Sequence, residues 1–476
     1  MSRAPADTTD LTRQNPPEPV EDLEDLALRE DYALAPQFVA MVMDAADRGD
    51  SERLRELLDA LRPADVADLM GFLSPDYREE AIAHLNPDAL ADILSELDTE
   101  IREDVLEHVS SDALARALGE MESDDAADVV DDLEADRRAQ VLAAMPESDR
   151  VAIETSLAYQ DETAGRLMQR EVVAAPQFWT VGQTIDHLRR DSDDLPELFF
   201  DVYVVDPSYH PVGALAVSQL LRAQPATPLA QIMEPITEIP VDMDQEEVAY
   251  IFDKYHLISA PVVERGGRLV GQITVDDIVG VIQEESEEDI LALAGVSDAG
   301  RDAGVLGIVR SRLPWLILNL LTASVAVSVI AAFQGEIAKL VTLAILMPIV
   351  ASLGGNAGTQ ALTVAVRALA ARELNAANAL RIVLRELVVG LMNGATLAAV
   401  MSAAVYFWFR DPRLALTVAL ALVINVFVAS LAGILAPLAL ERLGRDPAVS
   451  SSIFVTFVTD FMGFLSFLGL AAVILA

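Results

Sequence analysis

Five long apolar stretches in the final third of the chain constrain its fold more than any other feature. They cover residues 313–333, 340–366, 387–409, 414–440 and 448–476, and they contain one formal charge among them, Asp460. A helix needs about 20 apolar residues to cross a bilayer. Since apolar stretches of this length rarely occur together in a soluble fold, the sequence predicts five membrane spans.

The charge of the chain is divided unevenly between its two parts. The formal net charge is −42, yet residues 310–476 hold seven acidic and eleven basic residues, which leaves −46 on residues 1–309. This division predicts an acidic part in water joined to an apolar part in lipid. The acidic part would repel the phosphates of a nucleic acid, which excludes that class of partner, and it would attract divalent cations.

The sequence also limits the ligands of any site within the membrane. There is no cysteine, which excludes disulfides and thiolate chemistry, and all five histidines precede residue 310. A membrane-embedded metal site must therefore use oxygen ligands. Such a site suits magnesium, calcium or manganese better than zinc or copper.

Residues 36–160 are typical of an all-α repeat domain. Short amphipathic helices follow one another, with an internal period of 24 residues: Ala-Asp-Leu at 67–69 recurs as Ala-Asp-Ile at 91–93, and Arg-Glu-Glu at 78–80 recurs as Arg-Glu-Asp at 102–104. A repeat this short predicts a small helical solenoid.

Residues 165–283 alternate short β-type runs with helical segments, and their two halves resemble each other. The motif Leu-Met at 167–168 recurs as Ile-Met at 232–233, each ahead of a β-type run. This α/β part resembles a tandem pair of cystathionine-β-synthase (CBS) domains, and the second copy, with Ser-Ala-Pro-Val-Val at 259–263, matches better. Such pairs sense small ligands, so an adenine nucleotide is a candidate partner.

Two further segments complete the predicted organisation. Residues 1–35 have the composition of a flexible acidic tail. Residues 278–309 are typical of one long connecting helix, which carries an acidic run at Glu284, Glu285, Glu287, Glu288 and Asp289. Like charges at these helical spacings destabilise a helix by about 0.2–0.5 kcal/mol per pair. Either the run is a solvated face, or a cation bridges the carboxylates and stiffens the helix.

Asp460 is the most informative residue of the membrane part. It lies near the middle of the fifth span, and an aspartate at the bilayer centre costs roughly 2.5–3.5 kcal/mol on insertion scales. No lysine or arginine lies at a comparable depth. A bound cation is the simplest neutralising partner, and the alternative is a protonated aspartate that is hydrogen-bonded to a neighbouring helix.

The second span contains Met347-Pro348 and then Gly-Gly-Asn-Ala-Gly-Thr-Gln at 354–360. Proline and glycine weaken a helix, so a break at membrane depth would expose carbonyl oxygens to a pore. Gly354, Gly355, Asn356 and Gln360 are the candidate pore-lining residues. Close helix packing through small residues is an equally good explanation of the glycines.

The distribution of basic residues predicts how the chain lies in the membrane. If residue 310 is cytoplasmic, the basic residues divide eight inside against three outside. The positive-inside rule then places the acidic domains in the cytoplasm and the C-terminus outside the cell membrane.

The order of these parts resembles the MgtE family of magnesium channels and transporters over nearly the whole chain. The most specific motifs are residues 354–360, Arg-Leu-Gly-Arg-Asp-Pro-Ala at 442–448, and Asp460 followed by Gly463. The resemblance implies a multidomain membrane protein with an all-α helical-repeat N-terminal domain (36–160), an α/β tandem CBS pair (165–283), a connecting helix (278–309) and a five-helix transmembrane domain (310–476).

The same resemblance implies a homodimer whose pore holds Mg²⁺ as a hydrated ion at Asp460 of both subunits. It also implies regulatory Mg²⁺ sites in the cytoplasmic part, at acidic positions in the helical domain, the CBS pair, the connecting helix and a membrane loop. Matched motif by motif, these positions are Asp92, Asp124, Glu246, Asp253, Asp277, Glu285, Glu288, Asp289 and Asp446.

The predicted function is therefore Mg²⁺ transport gated by cytoplasmic Mg²⁺, without enzymatic activity. Three rival classes fit the residues less well. An anion channel would need basic groups at pore depth, and a membrane enzyme would need a catalytic set, whereas the spans hold no histidine and one carboxylate. A scaffold would leave Asp460 without a purpose.

Overall fold

The computed structural model describes residues 23–29, 31–190, 195–196, 198–294, 296, 305–370, 372–374, 378–443, 447 and 451–475. The chain divides into two compact units, Met1–Val281 and Ile282–Ala476. The first unit contains the helical domain and two small β-sheets, and the second contains the long apolar helices.

The helical domain is built from short helices with one hydrophobic core. Three of them begin with a proline, at positions 36, 63 and 75. Proline is favourable at the first helical position, because a backbone N–H there would have no hydrogen-bond acceptor within the helix. The helices are α1 (Leu23–Ala27), α2 (Pro36–Arg48), α3 (Ser51–Asp59), α4 (Pro63–Phe72), α5 (Pro75–Ile82), α6 (Leu90–Glu96), α7 (Thr99–His108), α8 (Ser111–Leu118), α9 (Ser123–Asp131), α10 (Ala135–Ala144), α11 (Glu147–Ser156) and α12 (Ala164–Leu167), with a 3₁₀ turn at Pro87–Ala89.

The 24-residue repeat is visible as a repeated ion pair. Arg78 is buried and bonds Asp104 as well as the carbonyl oxygen of Met70, and its counterpart Arg102 donates from Nε to Asp132 at 2.6 Å. Each arginine thus reaches a carboxylate of the next repeat. The 24-residue period of the sequence thus coincides with a recurring arginine–carboxylate contact, and the helical solenoid itself stays a prediction.

The expectation of a flexible tail over 1–35 is wrong for its described end. Ala27 and Leu34 are buried in the core of the helical domain, and the N–H of Ala35 donates to the carbonyl oxygen of Ala27 at 2.8 Å. Leu23 and Leu28 pack against the same core. Apolar residues within an acidic segment therefore anchor it, whereas residues 1–22 lie outside the described part of the chain.

The CBS part contains two copies of one β–α–β–β–α unit. In each three-stranded sheet the first strand runs parallel to the second, and the second runs antiparallel to the third. The first copy comprises β1 (Ala174–Pro176), α13 (Val181–Arg190), β2 (Asp201–Val205), β3 (Pro211–Ala216) and α14 (Val217–Arg222). The second comprises β4 (Ile239–Pro240), α15 (Gln245–Tyr255), β5 (Ser259–Val263), β6 (Leu269–Thr274) and α16 (Val275–Leu293), after a 3₁₀ turn at Leu229–Gln231.

The two copies exchange their leading segments. Gln169, ahead of the first copy, forms a β-bridge with Gln272 of the second, and Glu234, ahead of the second, forms one with Ala214 of the first. A methionine beside each bridge packs over a strand glycine; Met168, for example, leaves no room for a side chain at Gly271. The resemblance between Leu-Met at 167–168 and Ile-Met at 232–233 thus reflects equivalent structural positions.

The second unit contains five described helices that are long and apolar enough to cross a membrane. Each predicted span coincides with one of them, although the first and third helices each begin eight residues earlier than predicted. The helices of this part are α17 (Val305–Ala332), α18 (Gln334–Lys339), α19 (Thr342–Ala370), α20 (Ala379–Phe409), α21 (Pro412–Arg442) and α22 (Ser451–Ile474).

The connecting helix is shorter than the sequence predicts. Instead of continuing to residue 309, α16 ends at Leu293, and the N–H of Val296 turns back to the carbonyl oxygen of Leu291 at 2.9 Å. Residues 295 and 297–304 of the predicted helix lie outside the described part of the chain. All five carboxylates of the acidic run nevertheless lie on α16.

Candidate ion path and cation-sensing cluster

Helices α19, α21 and α22 pack against one another through glycines. A Cβ atom at Gly358 of α19 would lie 2.6 Å from Val455 Cγ1 of α22, and one at Gly463 of α22 would lie 3.3 Å from the Cα of Ala351 of α19. The two helices are antiparallel, because the later residue of α19 contacts the earlier residue of α22. Between them the backbones approach more closely than any larger residue would permit.

The predicted break in the second span is wrong. Helix α19 is continuous from Thr342 to Ala370 and includes Pro348. A proline removes one backbone donor, and the remaining ladder of hydrogen bonds continues on both sides of it. The glycines allow close helix packing, which was the alternative explanation. A continuous α19 has no break that would expose carbonyl oxygens to a pore.

Asp460 lies near the middle of α22, at the level of Gly354 in the antiparallel pair. Its side chain is half-buried, and no hydrogen bond or ion pair involves its carboxylate among the described residues. The alternative interpretation, a protonated Asp460 that is hydrogen-bonded to a neighbouring span, therefore finds no support in the described part of the chain.

The candidate pore-lining residues of α19 differ in their surroundings. Gly354 is buried against the side chain of Asn425 on α21, and Gly355 faces α22, with the Oγ1 of Thr459 4.0 Å from its added Cβ. Asn356 and Gln360 are exposed one turn apart on the same helix. The two amides thus lie on the surface of the unit near the depth of Asp460.

A second acidic site lies in the first unit, where the start of α9 meets the start of α16. Glu122 immediately precedes α9, whose first turn carries Asp124 and Asp125, and α16 opens with Asp276 and Asp277. These five residues are called the sensor cluster below. Acidic residues in a first helical turn are favoured by the helix dipole, so each helix locally tolerates its own pair.

Hydrogen bonds hold α9 against the CBS sheet and so bring the two acidic turns together. Gln272 donates to Gln169 at 2.9 Å, and Gln169 in turn donates to Glu122 at 2.8 Å. Beside them, the hydroxyl of Ser123 donates to Glu171 at 2.9 Å. This network links β6 to the N-terminus of α9 without bringing a positive charge into the sensor cluster, on which Arg102 acts by partly offsetting the rise in the pKa of Asp125.

The electrostatics of the sensor cluster favour a bound cation or proton. Burial, followed by the negative charges of neighbouring carboxylates, raises the pKa of Glu122 and of Asp277 to about 7 and that of Asp125 to about 6. Burial raises the pKa of Asp124 well above its usual range, and the charge of Asp277 adds to this. A positive charge placed here would relieve the repulsion.

Asp124 has the strongest need for such a partner. Its side chain is 6% exposed, and its Oδ1 is buried without a hydrogen bond to any residue that the structure describes. Within the described part of the chain, no three carboxylate or imidazole groups lie close enough together to bind a metal ion alone. A cation would therefore keep much of its water, as Mg²⁺ commonly does in proteins.

Among the described residues, the structure brings together two of the regulatory positions that the resemblance implies, Asp124 and Asp277. Asp92, Glu246 and Asp253 are exposed, and none of them is among the charges that act most strongly on this pair. The remaining implied positions are elsewhere: Glu285, Glu288 and Asp289 lie in the second half of α16, and Asp446 lies outside the described residues.

Sequence reasoning missed Glu122 and Asp125 and left Asp276 out of the site. The available signal was the run Glu-Ser-Asp-Asp at 122–125, which places three carboxylates at one helix start. That signal alone does not reveal the facing pair on α16, since the contact depends on the tertiary structure.

Family models agree with this architecture. Three family models match: the MgtE divalent cation transporter over residues 347–470, the MgtE intracellular N domain over 61–162 and the CBS domain over 229–284. A solved structure, the cytosolic domain of the Mg²⁺ channel MgtE in complex with ATP, is 32% identical. It covers 51% of this chain and 99% of its own, with a TM-score of 0.48.

Relatives that match about two thirds of the chain extend the similarity across both units. The chain is 36% identical to the magnesium transporter MgtE of Thermus thermophilus over 330 residues, which are 68% of this chain and 73% of the relative. It is 34% identical to the magnesium transporter MgtE of Enterococcus faecalis over 67% of this chain and 71% of that one. This chain is therefore a multi-pass membrane protein that belongs to the MgtE family of magnesium transporters.

Proposed function

We propose that this protein is a homodimeric Mg²⁺ channel or transporter of the cell membrane, in which Asp460 of each subunit faces the ion path. One observation carries this proposal. Asp460 is half-buried near the middle of an apolar span, and no partner for it exists among the described residues. A charge at that depth needs a compensating group, and a passing divalent cation would supply it.

Two copies of Asp460 would match the charge of one Mg²⁺. The ion holds its first water shell tightly and is commonly bound through one or two carboxylates. A pair of carboxylates on a twofold axis would therefore hold a largely hydrated ion, without a cage of protein oxygens. The amides of Asn356 and Gln360, exposed near the same depth on α19, are suited to contact its water molecules.

Ion flux into proteoliposomes separates this proposal from its rivals. The full-length protein should carry Mg²⁺ and exclude Cl⁻, whereas an anion channel would give the reverse. A membrane enzyme or a scaffold would give neither flux. Glu336→Gln provides a control carboxylate, because Glu336 pairs with Lys339 on α18, outside the five long spans, and its loss should leave Mg²⁺ flux unchanged.

We further propose that the sensor cluster closes the path when Mg²⁺ binds to it. Its support is the set of raised pKa values and the orphaned, buried Oδ1 of Asp124. Without a cation the carboxylates at the starts of α9 and α16 repel one another. A bound ion would draw the helical domain and the CBS pair together, and α16 would carry that change along its length.

The gate needs several ions. A shift from mostly open to mostly closed, 1:99 to 99:1, requires about 5.5 kcal/mol of differential binding. Glu285, Glu288 and Asp289 on α16, together with Asp446, are the proposed further regulatory ligands, with Asp92, Glu246 and Asp253 on the surface of the first unit. Weak sites acting together would supply the required free energy.

The gating proposal is tested by internal Mg²⁺. Flux through the wild-type protein should fall as internal Mg²⁺ rises into the millimolar range, whereas flux through Asp124→Asn or Asp277→Asn should fall less. Asp112→Asn, which changes an exposed carboxylate in the first turn of α8, is the matched control. Equal closure of all three variants would place the sensor elsewhere.

The CBS pair is the proposed site of an adenine nucleotide, supported by the CBS family match over 229–284. Addition of ATP to the full-length protein should raise its thermal unfolding midpoint by mass action. An unchanged midpoint at millimolar ATP would remove this partner.

A further inference from the structure

Asn425 is a buried polar residue within the membrane unit. It lies on α21, has no exposed surface, and donates from Nδ2 to the backbone carbonyl oxygen of Val350 on α19 at 2.9 Å. Its Oδ1 is also buried and has no hydrogen-bond partner among the described residues. The carboxamide thus ties two spans together while its acceptor oxygen is left without a partner among those residues.

Two glycines on the neighbouring spans make room for this side chain. A Cβ at Gly354 of α19 would lie 2.0 Å from Asn425 Nδ2, and a Cβ at Gly463 of α22 would lie 2.9 Å from the same atom. The first distance is too short for any substitution to be accommodated without movement. Gly354, Asn425 and Gly463 therefore form one three-helix contact, which we name the amide notch.

The amide notch lies within one helical turn of Asp460. Gly463 follows Asp460 by three residues on α22, and Gly354 stands opposite Asp460 in the antiparallel pair of α19 and α22. Any change in the contact would shift or rotate the helix segment that carries the carboxylate. The same contact would also move the turn of α19 that bears Asn356.

Stability alone does not explain an asparagine at this position. A buried acceptor without a partner is destabilising, and an apolar residue of the same shape would remove that cost along with the hydrogen bond. Leucine has a branched end of similar shape and would fit the same space. The fold would therefore be served as well by leucine, and the carboxamide must contribute something else.

We infer that Asn425 is a positioning residue of the ion path, in which the amide notch sets the distance and orientation of Asp460 relative to α19. This inference rests on the proposed role of Asp460. Asn425 acts through the helices and not as a ligand of the ion, because its side chain has no exposed surface through which a hydrated ion could reach Oδ1. Loss of the carboxamide should change the affinity and selectivity of the path for ions, with little effect on the stability of the fold.

Asn425→Leu in the full-length protein tests the inference. Flux in proteoliposomes should show a half-saturating Mg²⁺ concentration raised about two- to tenfold, the range that corresponds to one net hydrogen bond. The ratio of Mg²⁺ to Ca²⁺ flux should fall, while the thermal unfolding midpoint stays near that of the wild type. Unchanged half-saturation and selectivity in a folded Asn425→Leu would overturn the inference.

Ser430→Ala is the matched control. Ser430 is also buried on α21 and packs against a glycine, with its Oγ 2.3 Å from a Cβ added at Gly390, but that glycine belongs to α20. The control variant therefore removes a buried polar group from the same helix without touching the amide notch. Its selectivity should remain that of the wild type.

The glycine provides an independent test that does not depend on Asn425→Leu folding. Gly354→Ala alone should lose most of the flux, since its Cβ would collide with the amide. In the double variant Gly354→Ala/Asn425→Ala the colliding atoms are gone, because all three nearest neighbours of that Cβ belong to Asn425. Flux should recover to the level of Asn425→Ala, and no recovery would contradict the notch.

These results are separable from a failure of the proposed path. If Asp460→Asn retains full flux, the path lies elsewhere and the amide notch has nothing to position. If Asp460→Asn loses flux while Asn425→Leu behaves as the wild type, the path stands and only the inference about Asn425 fails.

Discussion

Asp124 of α9 lies close enough to Asp277 of α16 for the negative charge of Asp277 to be, after burial itself, the strongest influence raising the pKa of Asp124. The two residues are far apart in the chain. They lie at the contact between the helical domain and the CBS pair. A contact that concentrates like charges at the junction of two domains is costly unless a cation or a proton joins it. The pH dependence of this unit follows from that contact.

The metal-free protein should lose stability as the pH rises. Glu122 and Asp277 have folded-state pKa values of about 7, whereas an unfolded carboxyl group titrates near pH 4. The folded form therefore binds more protons, and the stabilising contribution is complete below about pH 4 and is lost as the pH rises through about 7. Thermal unfolding of the full-length protein in detergent with a chelator should show a lower midpoint at pH 8 than at pH 6.

Added Mg²⁺ should reverse this trend, because a cation replaces the protons. The rise in midpoint on adding Mg²⁺ should be larger at pH 8 than at pH 6, where protons compete for the same oxygens. An Mg²⁺-induced rise that does not depend on pH would show that the stabilising ions bind outside the sensor cluster.

Asp124→Asn should stabilise the metal-free protein and weaken its response to Mg²⁺. The amide is uncharged, and its shape is that of the carboxylate, so the repulsion from Asp277 disappears without a cavity. At pH 8 we expect the metal-free midpoint to rise by about 2 °C or more, and the further rise on adding Mg²⁺ to shrink. A destabilised variant would show that Asp124 has a favourable partner in the metal-free state.

The acidic run of α16 should also take part in closure. Changing Glu285, Glu288 and Asp289 together to glutamine removes three negative charges from the second half of the helix. We expect flux through this variant to stay high when internal Mg²⁺ is millimolar. Normal closure of the triple variant in the same assay would confine the switch to the sensor cluster.

The orientation of the chain can be read with single cysteines, because the protein contains none of its own. Gly335 on α18 has open space around its Cα and is predicted to lie outside the cell, whereas Glu373 between α19 and α20 is predicted to lie inside. Gly335→Cys should react with a membrane-impermeant maleimide on intact cells, and Glu373→Cys only after permeabilisation. The opposite labelling would invert the proposed topology.

Membrane spans and the helical repeat were predictable because each depends on a pattern carried by the segment itself. The long apolar runs coincide with α17 and α19 to α22, and the arginine of the repeat recurs at 78 and 102, each time paired with a carboxylate further along the chain. The start of the helical domain was predicted too late, because the acidic composition of residues 1–35 concealed the few apolar residues that anchor its end.

The glycine segment of α19 shows why the rest could not be predicted. Proline and glycine at 348 and 354 fit a broken helix as well as a tightly packed one, and the deciding atom is the amide of Asn425, in a span two helices away. The sensor cluster has the same limitation. Asp124 and Asp277 were implied by the family resemblance, whereas Glu122 and Asp125 became part of the site only through the contact between α9 and α16.

The most direct test of the central claim is Mg²⁺ flux into proteoliposomes for the wild type and for Asp460→Asn and Asp460→Ala, with each variant shown to be folded by its unfolding midpoint. If Asp460 holds the passing ion, both folded variants should carry less than about a tenth of the wild-type flux, as the loss of one charge interaction predicts. Wild-type flux through a folded Asp460→Ala would contradict the account.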